Sequence, residues 1–170
     1  MTNEAWPHHP TARGLAELDR LRQRPFPEGR ERSPTGESGP GFHLTSLWTC
    51  PPAWDADPAD AQGIREDGTA QLEALTAVLS LRWGEPEEVD LTGTLERVAQ
   101  GLPVRPPLDV LSAAADRLSV WQAGRRWVAL GAGYGGPELP AQVLAATGEG
   151  RLGAADRPWI FRDPGRSPLR

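Results

Sequence analysis

The residues of this chain that could do chemistry fall into four sets. The first is Gly131-x-Gly133-x-x-Gly136, the glycines of GAGYGG, placed after a β-rich run and before a run with helical spacing. In a dinucleotide-binding unit such glycines let the backbone approach a pyrophosphate held at the next helix N-terminus, and an acid about 20 residues on meets the ribose. Asp156 stands at that distance from Gly136. The surroundings fit a plain glycine turn better. Pro140 interrupts the helical run, Glu138 would repel a phosphate, and GEGRLGA precedes Asp156 where an apolar strand is needed. Gly131, Gly133 and Gly136 are therefore weak candidates for a nucleotide or anion site.

The second set is Glu85, Glu87, Glu88 and Asp90, four acids within six positions. An acidic stretch that follows a helix reads first as a solvated surface and next as a docking patch for a basic partner, because complementary charge speeds encounter. The third set is Trp48 and Trp54, on either side of Pro51-Pro52. Tryptophan is enriched at binding hot spots, so either could anchor a partner. The fourth is Cys50 with His8, His9 and His43. A zinc site wants three or four converging ligands, and a cysteine nucleophile wants a neighbouring base. His43 is the sole internal histidine, so no catalytic residue, metal or cofactor is assigned.

These residues need elements to hold them. Arg117 to Leu130, RLSVWQAGRRWVAL, reads as a β-hairpin. With Ala123-Gly124 as a two-residue loop, Val120 faces Trp127, Leu118 faces Ala129, and Trp121 faces Arg126, close enough to stack. Alternation puts Leu118, Val120, Trp127 and Ala129 on one face. Thr69 to Trp83 is the clearest helix, with Leu72, Leu75, Leu79 and Trp83 at helical spacing, Gly84 at its end and Pro86 beyond. Thr11 caps a thinner helix through Gln23. Val89 and Leu91 read as a two-residue strand or as a hydrophobic staple into a helix from Thr92 to Gln100. A short helix spans Leu108 to Ala115, and Glu138 to Thr147 reads as another, with prolines tolerated in its first turn. Phe42 and Leu44 open a short strand, Asp55 to Gly68 reads as a polar loop, and Trp159 to Phe161 as a further strand.

Domain organisation follows from composition. Gly and Pro, at 19 and 18 residues, exceed a fifth of the chain and point to much irregular structure. Pro25 to Gly41 is rich in both and mixes charges freely, with little apolar area to offset ordering entropy. Residues 1–41 are thus expected to form a mobile arm with one short helix and a linker, dispensable for folding. Residues 42–162 form a single α+β domain, and 163–170 a frayed tail. The domain is expected to have a small antiparallel sheet centred on the 117–130 hairpin, with two or three helices packed on one face.

Every basic residue is Arg, and the formal net charge is −5. That balance argues against a non-specific nucleic-acid binder, whose usual footprint is basic. A single cysteine excludes an intramolecular disulfide. No apolar run approaches the roughly 18 residues of a membrane span, and the N-terminus lacks the apolar core of a secretory signal. The reading is of a cytoplasmic protein of bacterial type. Its expected role is non-enzymatic: an immunity-like inhibitor or adaptor that binds a basic protein through Glu85, Glu87, Glu88, Asp90, Trp48 and Trp54. A small enzyme or sensor that binds a nucleotide or anion through GAGYGG is the rival.

Overall fold

The computed structural model of the chain describes residues 9–51, 57–134 and 140–152. Trp54, Gly136, Glu138, Asp156, the strand expected at 159–161 and the 163–170 tail lie outside the described residues, as do residues 1–8. Seven strands form one antiparallel sheet: β1 (Glu31–Ser33), β2 (Gly36–Gly39), β3 (Phe42–Cys50), β4 (Glu87–Asp90), β5 (Arg117–Ala123), β6 (Arg126–Gly133) and β7 (Ala141–Glu149). Their order is β1-β2-β3-β7-β6-β5-β4. Two meanders, β1 to β3 and β4 to β7, meet where β7 pairs with β3. The α+β class is as expected, and the sheet is larger than expected.

Four helices accompany the sheet: α1 (Pro10–Gln23), α2 (Pro58–Trp83), α3 (Thr92–Ala99) and α4 (Leu108–Ala114). They lie on both faces of the sheet, where one covered face was expected. On one face Leu108 and Leu111 of α4 pack with Phe42, Leu118, Trp127, Ala129, Leu144 and Ala146. On the other, Leu18 of α1 and Leu75 and Leu79 of α2 pack with Trp121, Val128, Leu130, Val143 and Ala145. Successive residues of β6 and β7 thus alternate between two dry cores, and the central strands have no solvated side.

That burial explains the largest error of the sequence reading. Residues 141–147 are strand, not helix: β7 pairs along its length with β3 and β6. A strand buried on both faces reads as a continuous apolar run, with no alternation to separate it from a buried helix. The alanines of AQVLAAT tilt the local preference toward helix, and pairing on both sides overrides it.

The 117–130 hairpin exists, and its register differs. Its loop is Gly124-Arg125, with Ala123 opposite Arg126, Trp121 opposite Val128 and Val120 opposite Ala129. Gly124, at φ +68°, takes the left-handed conformation that a tight loop requires at its first position. Each partner moves by two residues from the expected one, so every side chain keeps its face. Arg126 consequently stacks on Phe26, 4.0 Å from the ring centroid, and not on Trp121.

Residues 10–41, read as arm and linker, are built into the same sheet and core. Leu18 and Leu21 are buried, and β2 adds to β3 from Gly36–Thr45 to Gly39–Phe42. Two of the glycines taken as linker marks are close-packing positions: a Cβ on Gly36 would lie 1.9 Å from the Leu44 carbonyl oxygen, and one on Gly39 2.5 Å from the Phe42 ring. The mixed charges pair, Glu37 with both Arg30 and Arg32, and Arg30 also with Asp109 of α4 at 3.0 Å. His43 closes the join. Its Nε2 faces the Arg24 carbonyl at 3.2 Å, so Nε2 carries the proton and donates, and Nδ1 accepts from the Ser38 hydroxyl at 2.7 Å.

Helix α2 starts at Pro58, 11 residues before the expected Thr69, and takes in most of the expected 55–68 loop. Asp57 accepts from the amides of Ala59 and Asp60, and Pro58 fills the first position, where no amide donor is missed. The polar first half of α2 lies largely in solvent, so it shows no apolar stripe. No helix among the described residues is long and apolar enough to cross a membrane.

Candidate functional site: the acidic sheet edge

Among the described residues, strand β4 is the last strand on its side of the sheet and pairs only with β5. It is short because the chain leaves α2 at Gly84, passes Pro86, which has no amide donor, and enters α3 at Thr92. Trp121 fastens this exit. Its indole N–H donates to the Gly84 carbonyl at 2.9 Å, tying the end of α2 to β5. Within β4 only Val89 faces the core, beside Leu118. Glu85, Glu87, Glu88 and Asp90 are all exposed.

The four acids differ in what holds them. Glu88 accepts from the Ser119 hydroxyl at 2.7 Å across the ladder. Asp90 accepts from the Thr92 amide, the first of α3, at 2.8 Å. That amide, the Thr92 side chain and, to a smaller degree, Arg117 hold the Asp90 carboxyl below its ordinary range. Asp90 therefore starts a helix as well as carrying charge. Among the described residues no group of three or more His, Cys, Asp and Glu side chains could hold a metal ion.

Of the two tryptophans, Trp54 lies outside the described residues and Trp48 is not at this edge. Trp48 lies in β3 and packs over α2 with Leu47 and Leu72. A Cβ on Gly68 of α2 would stand 3.1 Å from the Trp48 ring and 2.6 Å from the Tyr134 hydroxyl. Tyr134 itself donates to the Arg65 carbonyl at 3.2 Å. Trp48 is part of the fold's packing, and only partly exposed.

Gly131 and Gly133 lie within β6, and β7 follows where a helix was expected, the element that a phosphate site would need. Their smallness serves α4. A Cβ on Gly133 would lie 2.0 Å from the Ala114 carbonyl oxygen, and one on Gly131 would lie 3.0 Å from the Ala115 Cβ. The strand–glycine–helix context of a dinucleotide site is absent from the described residues. Cys50 ends β3 as a half-buried free thiol.

Two features of this region have no signal in the sequence reading. Helix α3 buries Thr94 and leaves Leu95 and Val98 at 40% and 38% exposure. A cavity of 260 Å3 opens beside it, lined by Leu95, Ala113, Asp116, Gly133, Pro140 and Gln142 among others. The spacing of Leu95 and Val98 announces an apolar face, and only the fold shows that no described residue covers it. A second cavity, of 330 Å3, lies between α4 and β2, β3 and β7. Much of its polar lining is already paired, Ser46 with Gln142 and Glu37 with Arg30 and Arg32.

The fold and edge together define an α+β protein with a three-layer core and one acidic, open sheet border. No protein-family model, curated protein or solved structure matches the chain.

Proposed function

We propose that this chain is a non-enzymatic protein-binding module, an immunity-like inhibitor or adaptor that masks a basic protein partner. The observation that supports the reading is the exposure of Glu85, Glu87, Glu88 and Asp90 on and beside an open edge strand. Side chains on an edge strand meet a partner without any rearrangement of the sheet. Their charge would steer a basic protein toward the edge, an effect that salt weakens.

The test is capture from native lysate at low and at high salt, with wild type and the double variant Glu87→Lys/Glu88→Lys. Both positions are exposed, so the variant keeps the core. A partner recovered by wild type at low salt, and lost on charge reversal, is the expected result. Recovery of no partner, or of one indifferent to both salt and reversal, refutes the reading.

A further inference from the structure

The uncovered face of α3 gives that reading a more specific partner. Three of the four large exposed apolar side chains of the described residues, Leu95, Val98 and Leu102, belong to α3 and the turn after it. Leu95 and Val98 are three apart and share a helix face. The turn is a Schellman motif: Gly101 donates to the Val98 carbonyl at 3.0 Å and Leu102 to the Arg97 carbonyl at 2.9 Å. It folds Leu102 back toward the last turn of α3, so the three side chains form one patch.

Beside the patch is the 260 Å3 cavity to which Leu95 contributes. Its volume falls below the ~300–1,000 Å3 of small-molecule pockets and suits a single inserted side chain. Acids border both. Asp90 leads into α3, Glu87 and Glu88 precede it on β4, Glu96 lies on α3 itself, and Asp116 lines the cavity. Arg97, Arg105 and Arg117 are the bases of residues 87–117, and with Asp109 of α4 six acids against three bases leave a net −3. Arg97 is turned onto the Pro103 carbonyl, and Arg117 sits opposite Asp90 in the ladder.

We infer that the partner presents a basic amphipathic segment, whose apolar side chains cover Leu95, Val98 and Leu102 and insert one residue into the cavity between α3, α4 and β6. The inference rests on the acidic-edge reading and adds the apolar half of the interface to it. A purely ionic surface would need no exposed aliphatic stripe beside its acids. A purely apolar surface would not carry Glu96 on the same helix and Asp116 in the cavity lining. Charge brings the segment in, and burial of the stripe holds it.

The probes are two labelled synthetic peptides with the same number of arginines, one of Arg and Leu in helical amphipathic order and one of Arg and Ser. Binding is followed by fluorescence anisotropy with wild type, Leu95→Asp, Val98→Asp and Glu88→Lys, alongside sedimentation of the chain alone. The Arg/Leu peptide is expected to bind wild type about tenfold tighter or better, as burial of one aliphatic side chain implies. Leu95→Asp and Val98→Asp should erase that advantage, and Glu88→Lys should weaken both peptides. Equal binding of the two peptides, or an advantage indifferent to Leu95→Asp, overturns the inference and leaves the acidic-edge reading standing. Binding of neither peptide overturns both. A dimer that Val98→Asp dissociates also overturns it, and assigns the patch to a second copy of this chain.

Discussion

Replacement of Gly133 by Ala is the sharpest test of how α4 is seated. The new methyl carbon would lie 2.0 Å from the Ala114 carbonyl oxygen and 3.2 Å from its carbon. Carbon–oxygen contacts normally stand at about 3.3–3.6 Å, so roughly 1.3 Å must be found. Both partners are backbone. Gly133 is paired with Gln142 of β7, and the last turn of α4 is anchored by Leu111 and Ala115 in the core. Neither can swing aside as a flexible side chain would. Overpacking of this kind costs about 1–3 kcal/mol. At about 2–4 °C per kcal/mol for a chain of this size, the melting temperature should fall by roughly 2–12 °C.

Gly63→Ala is the matched control. It makes the same chemical change within α2, where the added Cβ meets nothing within 4 Å. Relief of the helix penalty of glycine should raise stability by about 0.8–1 kcal/mol. The pair is read by calorimetry or far-UV circular dichroism. A Gly133→Ala protein that melts with its parent would refute the close seat of α4 on β6. If it also loses a thermal shift that the parent shows with NAD, NADP, ATP or GTP, the glycine serves a ligand after all. At 100 times its dissociation constant that shift amounts to about 2.7 kcal/mol.

Three further outcomes are expected. Thr94→Val should raise the melting temperature, because Thr94 is 1% exposed and its hydroxyl has no partner; a buried unsatisfied group costs about 1–3 kcal/mol, and a lower melting temperature would show that the hydroxyl is satisfied. His43 is held below its ordinary pKa, chiefly by burial and also by the charges of Arg24 and Arg126, against the raising effect of its bond to the Arg24 carbonyl. Its neutral form is the folded one, so its contribution is present above about pH 6.5 and is lost as pH falls from there toward the folded pKa. Urea titrations from pH 7.5 to 5 should show that loss in wild type, and an equal loss in His43→Gln would refute the assignment. Truncation to begin at Gly41 should abolish cooperative unfolding, since burial of Leu18 and Leu21 alone is worth about 1.5–3 kcal/mol each against a total near 5–15; a cooperative melt would restore the dispensable arm.

What the sequence made legible is the set of elements whose local pattern agrees with their surroundings. Helices α1, α3 and α4 and the second half of α2 show their apolar spacing, and the hairpin shows its alternation; the caps were less legible, since α1 is capped by His9 and not by Thr11. The missed parts obey distant partners. β7 carries no alternation because both its faces are dry. β1 and β2 look like linker because their order comes from Glu37 between two arginines and from a glycine pressed against Leu44. Of the candidate site, the acids were legible as charge, and their exposure on an open edge was not. The apolar partner of that edge, on α3, went unread because Leu95 and Val98 fit a core face equally well.

The geometry of β4 also says how such an edge could be read. The Leu91 amide donates to the Asp116 carbonyl at 2.8 Å, which continues the β4–β5 ladder. In an antiparallel pair the main-chain groups of alternate residues point the same way. Glu87 and Val89 therefore turn theirs inward with Leu91, and Glu88 and Asp90 turn theirs out. Pro86 supplies no donor before them. Two outward residues are too few for a partner to add a strand, and the surrounding charges further discourage it. Recognition at this border must then pass through side chains, the carboxylates and the aliphatic stripe of α3. That predicts binding that weakens with salt and survives backbone N-methylation of a peptide partner, whereas strand addition would be lost on methylation and largely indifferent to salt.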